Sequence, residues 1–335
     1  MIRWNDVGER LEAARREGRG IVLSTHVSAD GDGLGSELGF YHFLKSRGHS
    51  VRIVNSEPVP DRYRFLPGSE AILPYDPKST RDLIRNAALF FVLDNSSPER
   101  LGPILEDLKA GGPFKICIDH HVTIDPFWDL NCVDTDAAAS GQLVYQAIKA
   151  LGGSITPPIA VALYVSFVTD TGHFRFSKTT PEVHRINAEL IEIGKISPPA
   201  IYTAVYEGIS PGLARMIGLA MGDVRYECGG RFAWARFTRS QLEECDGFEE
   251  DTGDLINMIL AIRGVDAVAV FKELHGGRMK VSLRSRGDID VNKLASRFGG
   301  GGHMNASGVV LEAPLEEGIA RVVDGMKEVL AGNAS

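Results

Sequence analysis

The residues of this sequence that could do chemistry are carboxylates and imidazoles that follow short apolar segments. Asp119, for example, comes directly after the apolar run 114–118 and begins an Asp-His-His tripeptide. The full set occupies four segments: His26, Asp30 and Asp32; Asp94; Asp119, His120 and His121; and Asp170. Side chains at the carboxyl ends of parallel strands meet at one edge of an α/β sheet. We therefore expect four strand ends to bring these residues together in one site.

Such a cluster of carboxylates has an electrostatic consequence. The negative charges repel one another, and only a bound cation or raised pKa values make the cluster tolerable. Two divalent ions are the economical solution, because ions roughly 3.5 to 4 Å apart can share a carboxylate and activate a water. The mixture of carboxylates and imidazoles favours two Mn²⁺ ions, with Co²⁺ or Mg²⁺ as possible substitutes. A lone aspartate at a strand end is more often a helix cap, but capping alone does not easily explain four such segments.

The elements that position these residues alternate between strand and helix patterns. Short buried runs at 21–24, 51–54, 88–93 and 114–118 are separated by helical patterns, and Ile159 to Thr169 is predicted as a further helix. This order predicts an α/β fold whose N-terminal domain has a mainly parallel, doubly wound sheet. The proline-rich segment between Pro58 and Pro77 is predicted to be surface loop.

The C-terminal part of the sequence has a different pattern. A hairpin is predicted around Gly229-Gly230, followed by helices, strands and the glycine run 299–302. A chain of 335 residues is long for one hydrophobic core. We expect a metal-binding catalytic domain over 1–190, a helical connector over 191–220 and a smaller α+β substrate-binding domain over 221–335. The active site is expected in the cleft between the domains.

Composition limits the possible partners. The net charge of -8 argues against binding to long duplex nucleic acid, which needs a basic surface. The four cysteines show no CxxC spacing, so neither a zinc site nor a disulfide framework is expected. The N-terminus has no signal-peptide pattern, and no apolar stretch approaches the roughly 20 residues that span a bilayer. We expect a soluble cytoplasmic protein without a membrane partner.

Taken together, the motifs resemble those of the DHH phosphoesterase family. The resemblance rests on four segments: His26-x-x-x-Asp30-Gly31-Asp32, Asp94, Asp119-His120-His121 and Asp170-Thr171-Gly172-x-Phe174. The glycine run with His303, preceded by the segment 282–286, resembles the DHH-associated domain of the nanoRNase and bisphosphonucleotide phosphatase branch. Ala29 stands where proline is common in this family and Gly33 where alanine is common, and neither change removes a ligand.

The resemblance implies a role for each residue. One metal would be held by His26, Asp30, Asp94 and Asp170, and the other by Asp32, Asp94, His120 and Asp170. Asp94 would bridge the two ions. Asp119 would orient its neighbours, and His121 would face the scissile phosphate as a catalytic residue. The resemblance also implies a homodimer formed through the first domain.

The C-terminal glycine run is predicted to contact substrate. Closely flanking apolar runs leave little slack for a linker, and backbone without side chains can approach a phosphate or a base edge. The predicted substrate-binding residues are Arg284, Ser285, Gly300, Gly301, Gly302 and His303. Arg284 could bind a phosphate through two hydrogen bonds.

These expectations define one function and four alternatives. The ligand types together with the resemblance imply a Mn²⁺-dependent phosphoesterase acting on short 5′-phosphorylated oligonucleotides, on linear dinucleotides, or on 3′-phosphoadenosine 5′-phosphate. The alternatives are a cyclic-dinucleotide phosphodiesterase, a single-strand exonuclease, a manganese pyrophosphatase and a nucleotide sensor without turnover. The acidic pI disfavours the exonuclease, the glycine-histidine segment disfavours the pyrophosphatase, and the complete ligand set disfavours the sensor.

Overall fold

The computed structural model describes residues 2–122, 125–247 and 252–332 of the chain, without the side chains of Asp254 and His303. It has two compact units, one ending at Gly208 and the other beginning at Ile209. The predicted connector over 191–220 is therefore divided: its first part belongs to the first unit and its last part to the second. None of the described helices is both long and apolar enough to cross a bilayer.

The first unit is an α/β structure in which strands and helices alternate. Its strands are β1 (Ile21–Ser24), β2 (Val51–Asn55), β3 (Ile72–Pro74), β4 (Leu89–Leu93), β5 (Phe114–Asp119) and β6 (Leu130–Val133). Its helices are α1 (Trp4–Arg16), α2 (Gly31–Ser46), α3 (Arg81–Arg85), α4 (Ile104–Lys109), α5 (Ser140–Ala150), α6 (Pro157–Asp170), α7 (Pro181–Gly194) and α8 (Pro198–Tyr206).

The six strands form one parallel sheet in the order β3-β2-β1-β4-β5-β6. The central strand β4 is buried along its whole length, as expected for a sheet covered on both faces. The predicted parallel fold is thus confirmed. The prediction of surface loop throughout Pro58–Pro77 is wrong at β3, a three-residue edge strand that includes Pro74.

Helix α2 lies against α6 because glycines line the contact between them. Gly31, Gly35 and Gly39 are spaced four residues apart and therefore share one face of α2. A Cβ atom at Gly35 would collide with the carbonyl oxygen of Ala162 in α6, and one at Gly31 would collide with the Thr169 hydroxyl. This close packing brings the first turn of α2 next to the last turn of α6.

The second unit is an α+β structure. Its strands are β7 (Arg225–Glu227), β8 (Phe232–Phe237), β9 (Ala267–Glu273), β10 (Met279–Ser285), β11 (Gly301–His303) and β12 (Ala306–Leu311). Its helices are α9 (Pro211–Gly222), α10 (Arg239–Cys245), α11 (Gly253–Leu260), α12 (Val291–Arg297) and α13 (Leu315–Gly332). The sheet order is β11-β12-β10-β9-β8-β7, with β8 and β9 parallel and the other pairs antiparallel. The predicted hairpin of β7 and β8 is present.

Candidate metal centre

Most of the predicted ligands lie where strands end, with two exceptions. His26 follows β1, Asp94 follows β4, and Asp119 is the last residue of β5. Asp32, however, lies in the first turn of α2, and Asp170 is the last residue of α6. The expectation of four strand ends is therefore wrong for Asp170, which reaches the site because α6 packs on α2.

Asp30 ends the loop after β1 and caps α2. Its Oδ1 atom accepts hydrogen bonds from the backbone amides of Asp32, at 2.9 Å, and Gly33, at 3.2 Å. This is a normal N-cap interaction, and it also fixes the carboxylate beside His26. Asp30 therefore combines the capping role with a place in the acidic cluster.

The first candidate ligand group consists of His26, Asp30 and Asp94, whose ligand atoms lie within 4.8 Å of one another. His26 Nε2 is 3.4 Å from Asp94 Oδ2 and 4.0 Å from Asp30 Oδ1. The second candidate group consists of Asp32, His120 and Asp170. His120 Nε2 is 3.6 Å from Asp32 Oδ2 and 3.3 Å from Asp170 Oδ2.

Asp94 lies between the two groups. Its Oδ2 atom faces His26, and its Oδ1 atom is 3.6 Å from His120 Nε2. Its backbone φ of 60° is rarely adopted by residues other than glycine. The backbone at Asp94 is therefore strained, and strain of this kind tends to occur at functional sites. Asp170 groups with Asp32 and His120, and it does not appear in the group around His26.

The donor atoms fit divalent cations. His120 Nε2 is buried and has no hydrogen-bond partner among the described residues. The other ring nitrogen, Nδ1, lies 3.2 Å from the carbonyl oxygen of Ala137, an arrangement that places the ring hydrogen on Nδ1. The lone pair of Nε2 then points at three carboxylates, which is the arrangement of a metal-ligating imidazole with a fixed tautomer.

Electrostatics supports the same interpretation. Burial raises the pKa of Asp94 well above its ordinary value, and the charges of Asp32 and Asp30 raise it further. Burial and the same two carboxylates also raise the pKa of Asp170. Burial lowers the pKa of His26, although Asp30 opposes this shift. Without a cation, the site therefore favours partial protonation of its carboxylates.

Asp119 supports its two histidine neighbours from the interior. Its Oδ1 atom accepts from His121 Nδ1 at 2.6 Å and from the backbone amide of His120 at 2.7 Å, and the Ser96 hydroxyl donates to Oδ2. Burial alone would raise the pKa of Asp119, but the hydrogen bonds and the nearby imidazoles outweigh it and lower this pKa. The geometry suits a residue that orients the His121 imidazole and fixes the backbone at His120.

Sequence reasoning missed the serines that hold the carboxylates. Ser140 donates from its amide to Asp32 Oδ2 at 2.8 Å and from its hydroxyl to Asp94 Oδ1 at 3.0 Å. Ser166 donates from its hydroxyl to Asp32 Oδ1 at 2.5 Å. The only local signal was that Ser140 begins a helix, whose N-terminus favours a nearby anion.

Comparison with known proteins identifies the family. The model of the DHH family N-terminal domain matches residues 20–167, and that of the DHHA1 domain matches residues 240–332. A protein of Thermus thermophilus called bifunctional oligoribonuclease and PAP phosphatase NrnA is 36% identical over 92% of this chain and 90% of its own. The chain belongs to the DHH phosphoesterase family. It is thus a hydrolase acting on phosphoester bonds, as the motifs predicted.

Two further relatives extend the comparison. A Bacillus subtilis protein with the same name is 28% identical over 86% of this chain and 88% of its own. The solved structure of an exopolyphosphatase-related protein from Bacteroides fragilis superimposes with a TM-score of 0.89 at 29% identity, covering 96% of both chains. Both similarities include the two domains of this DHH phosphoesterase.

In the DHHA1 domain of this DHH phosphoesterase, the local structure explains why most positions of the run 299–302 are glycine. Gly299, at φ 80°, follows the C-cap of α12. A Cβ atom at Gly300 would collide with the carbonyl oxygen of Gly308, and one at Gly302 with that of Ala306, because β11 pairs with β12. Only Gly301 of these four has a φ outside the left-handed region and open space for a side chain.

The other predicted substrate-binding residues differ in how they are placed. Ser285 is buried, and its hydroxyl donates to the Ile289 carbonyl at 2.6 Å and accepts from Asn305 Nδ2 at 2.9 Å. Arg284 is half-buried on β10, beside Ala306 of β12. For His303 the structure describes only the backbone, in β11, so the prediction for its side chain lies outside the described part.

Proposed function

We propose that this DHH phosphoesterase binds two Mn²⁺ ions and hydrolyses short 5′-phosphorylated oligonucleotides and 3′-phosphoadenosine 5′-phosphate. The observation that carries the proposal is the position of Asp94, whose two oxygens face two separate ligand groups. The names of the Thermus and Bacillus relatives support the choice of substrates. Co²⁺ or Mg²⁺ could replace Mn²⁺ at a site of this composition.

The residues of the site have distinct proposed roles. His26, Asp30 and Asp94 would hold one ion, and Asp32, Asp94, His120 and Asp170 the other. Ions bound there would supply Lewis acidity and a nucleophile from water at neutral pH.

The residues around the ligands would prepare the site for the scissile phosphate. Ser140 and Ser166 hold Asp32 in place, so that its carboxylate need not reorganise when the ion binds. Asp119 would keep the His121 ring in one orientation toward the phosphate through its hydrogen bond to Nδ1. These preformed contacts are what electrostatic stabilisation of a phosphoryl transition state requires.

The DHHA1 domain is proposed to bind the substrate. Arg284 and His303 are the proposed contacts, and Gly301 is the glycine at which substrate could approach the backbone. Ser285 is not a proposed contact, because its hydroxyl is hydrogen-bonded within the fold. Arg284→Ala should raise KM more than it lowers kcat, and an unchanged KM would remove this part of the proposal.

Product analysis tests the proposed function directly. The protein with Mn²⁺ would be incubated with a phosphorylated adenine dinucleotide, a phosphorylated twenty-mer, cyclic di-AMP, 3′-phosphoadenosine 5′-phosphate and pyrophosphate. Fast release of mononucleotide from the dinucleotide, with little from the twenty-mer, is expected. The Asp94→Ala protein provides the blank. Turnover of pyrophosphate alone, or no turnover, would contradict the proposal.

We further propose, from the family resemblance, that the protein is a cytoplasmic homodimer. Light scattering on the purified protein measures its mass in solution, and a mass near the 36.4 kDa of one chain would contradict the dimer. Fractionation of the source cells would test the location.

A further inference from the structure

The ring of His173, three residues after Asp170, lies close to the aromatic rings of helix α8. The His173 ring is 5.1 Å from that of Tyr202 in α8, and Tyr202 is 5.2 Å from Tyr206. His173 is exposed, and Tyr202 is 42% exposed. We call the exposed pair His173 and Tyr202 the aromatic shelf.

The rings beneath the shelf are anchored to the core of the first unit. The Tyr206 hydroxyl donates to the carbonyl oxygen of Val168 at 2.7 Å, and Phe174 lies between Tyr164, at 6.3 Å, and His184, at 5.4 Å. His173 itself has a φ of 59°, a strained value for a residue other than glycine. The fold therefore holds an exposed imidazole and an exposed phenol in place on a rigid support.

The shelf is close to the candidate metal centre. Asp170 is the last residue of α6, and the chain turns back at once, because the His173 amide donates to the Val168 carbonyl at 2.8 Å. Three Cα steps of about 3.8 Å limit the distance between the Cα atoms of Asp170 and His173 to about 11 Å. A substrate whose phosphate is bound by ions at the metal centre, beside Asp170, could therefore reach the shelf with an adjoining base.

The same segment carries positive charge. Arg175 and Lys178 are exposed, and neither forms an ion pair with a carboxylate among residues 2–122, 125–247 and 252–332. The Lys178 charge acts on Asp170, where it opposes the raised pKa of that carboxyl group. Aromatic rings interspersed with cations are the usual surface for single-stranded nucleic acid, because bases stack on the rings and phosphates pair with the cations.

We propose that the nucleobase next to the scissile phosphate stacks on the Tyr202 ring of the aromatic shelf with its edge toward His173, whose ring lies at 82° to that of Tyr202, while Arg175 and Lys178 bind an adjoining phosphate. This inference rests on the proposed function, since it assigns the base of that same substrate. It implies that a base, and not only a phosphate, determines substrate affinity at the first unit.

Kinetics with abasic substrates test the shelf. The substrates are a phosphorylated adenine dinucleotide and two analogues, each lacking one base. Tyr202→Ala should raise KM for the dinucleotide about 5- to 150-fold, the equivalent of one stacked base. It should leave KM nearly unchanged for the analogue that lacks the stacked base, because that contact is already absent. Tyr226→Ala, a change at another exposed tyrosine that is 51% exposed on β7, is the matched control. An equal change for all three substrates, or no change, would overturn the proposal.

A binding measurement separates failure of the shelf from failure of the proposed function. The probe is a phosphorothioate-linked dinucleotide with 2-aminopurine in either position, whose fluorescence falls when the base stacks. We expect quenching with the native protein and with the Tyr226→Ala control, and its loss with Tyr202→Ala. If the native protein quenches the probe but hydrolyses no dinucleotide, the proposed function fails and the shelf stands. If it hydrolyses the dinucleotide and Tyr202→Ala quenches equally, only the shelf is overturned. Absence of both hydrolysis and quenching overturns both.

Discussion

Glu37 makes the free energy of unfolding depend on pH, and one substitution at this residue can measure its contribution. This residue lies in α2 and is fully buried. Its Oε2 atom accepts from Asn55 Nδ2 at 2.9 Å, and its Oε1 atom has no hydrogen-bond partner among the described residues. Burial raises the pKa of Glu37 from 4.5 to about 8, although the hydrogen bond from Asn55 opposes the shift.

The sign of the effect follows from proton linkage. Below pH 4.5 the carboxyl group is protonated in both the folded and the unfolded chain, so this group causes no loss of stability. Between pH 4.5 and about 8 the unfolded chain has released the proton that the folded protein retains. The free energy of unfolding therefore falls by up to about 1.4 kcal/mol per pH unit over this interval. At pH 7 the loss amounts to about 3 kcal/mol.

Glu37→Gln should remove this loss. Glutamine keeps an oxygen that accepts from Asn55 but cannot ionise. We expect the variant and the native protein to differ little near pH 4.5, and the variant to be more stable by about 3 kcal/mol at pH 7. Urea unfolding of both proteins from pH 5 to pH 8 measures the difference, and the exposed Glu9→Gln reports the effect of the chemical change alone.

The comparison between the two proteins is what makes this test specific. Carboxylates of the metal centre also titrate, but they are present in both proteins and cancel from the difference between them. A difference in unfolding free energy that stays constant from pH 5 to pH 8 would refute the assignment of a raised pKa to Glu37.

Three further predictions follow from the metal centre and its supports. Asp94→Asn should lower the stoichiometry or affinity of Mn²⁺ binding in calorimetry, because one shared carboxylate reaches both ligand groups; two unaltered sites would contradict this. Ser96→Ala should lower kcat by about 10-fold or more with an unchanged fold, because Asp119 loses a hydrogen bond that fixes it; an unchanged kcat would remove that role. Gly35→Ala should destabilise the protein by about 1–3 kcal/mol in thermal unfolding, since the new Cβ meets backbone of α6, whereas Gly218→Ala, with open space in α9, should be neutral or stabilising.

The successes and failures of the sequence analysis have physical causes. The strand ending at Asp119 was predictable because a run of apolar residues bounded by polar ones is a local pattern. The edge strands β3 and β11 were missed, since each has three residues, one including a proline and the other two glycines. Short strands of this kind form because a neighbouring strand offers hydrogen bonds, which the local sequence does not reveal.

The candidate site shows the same division between local and distant information. The cap formed by Asp30 involves residues two and three positions away and follows from local chemistry. The hydrogen bond from Ser166 to Asp32 joins residues 134 positions apart. No pattern within one segment specifies such a contact.

By itself, the sequence determined the chemical types of the ligands, the family of the protein and the alternation of strands and helices. All of these depend on residue identity and short spacing. The tertiary structure alone decided that Ser140 and Ser166 hold the Asp32 carboxylate and that α6 packs closely enough on α2 for Asp170 to reach the site. It also decided that most of the C-terminal glycine run serves close strand packing and helix termination. The reason is that these features arise from the packing of elements far apart in the chain, such as α2 on α6 and β11 on β12.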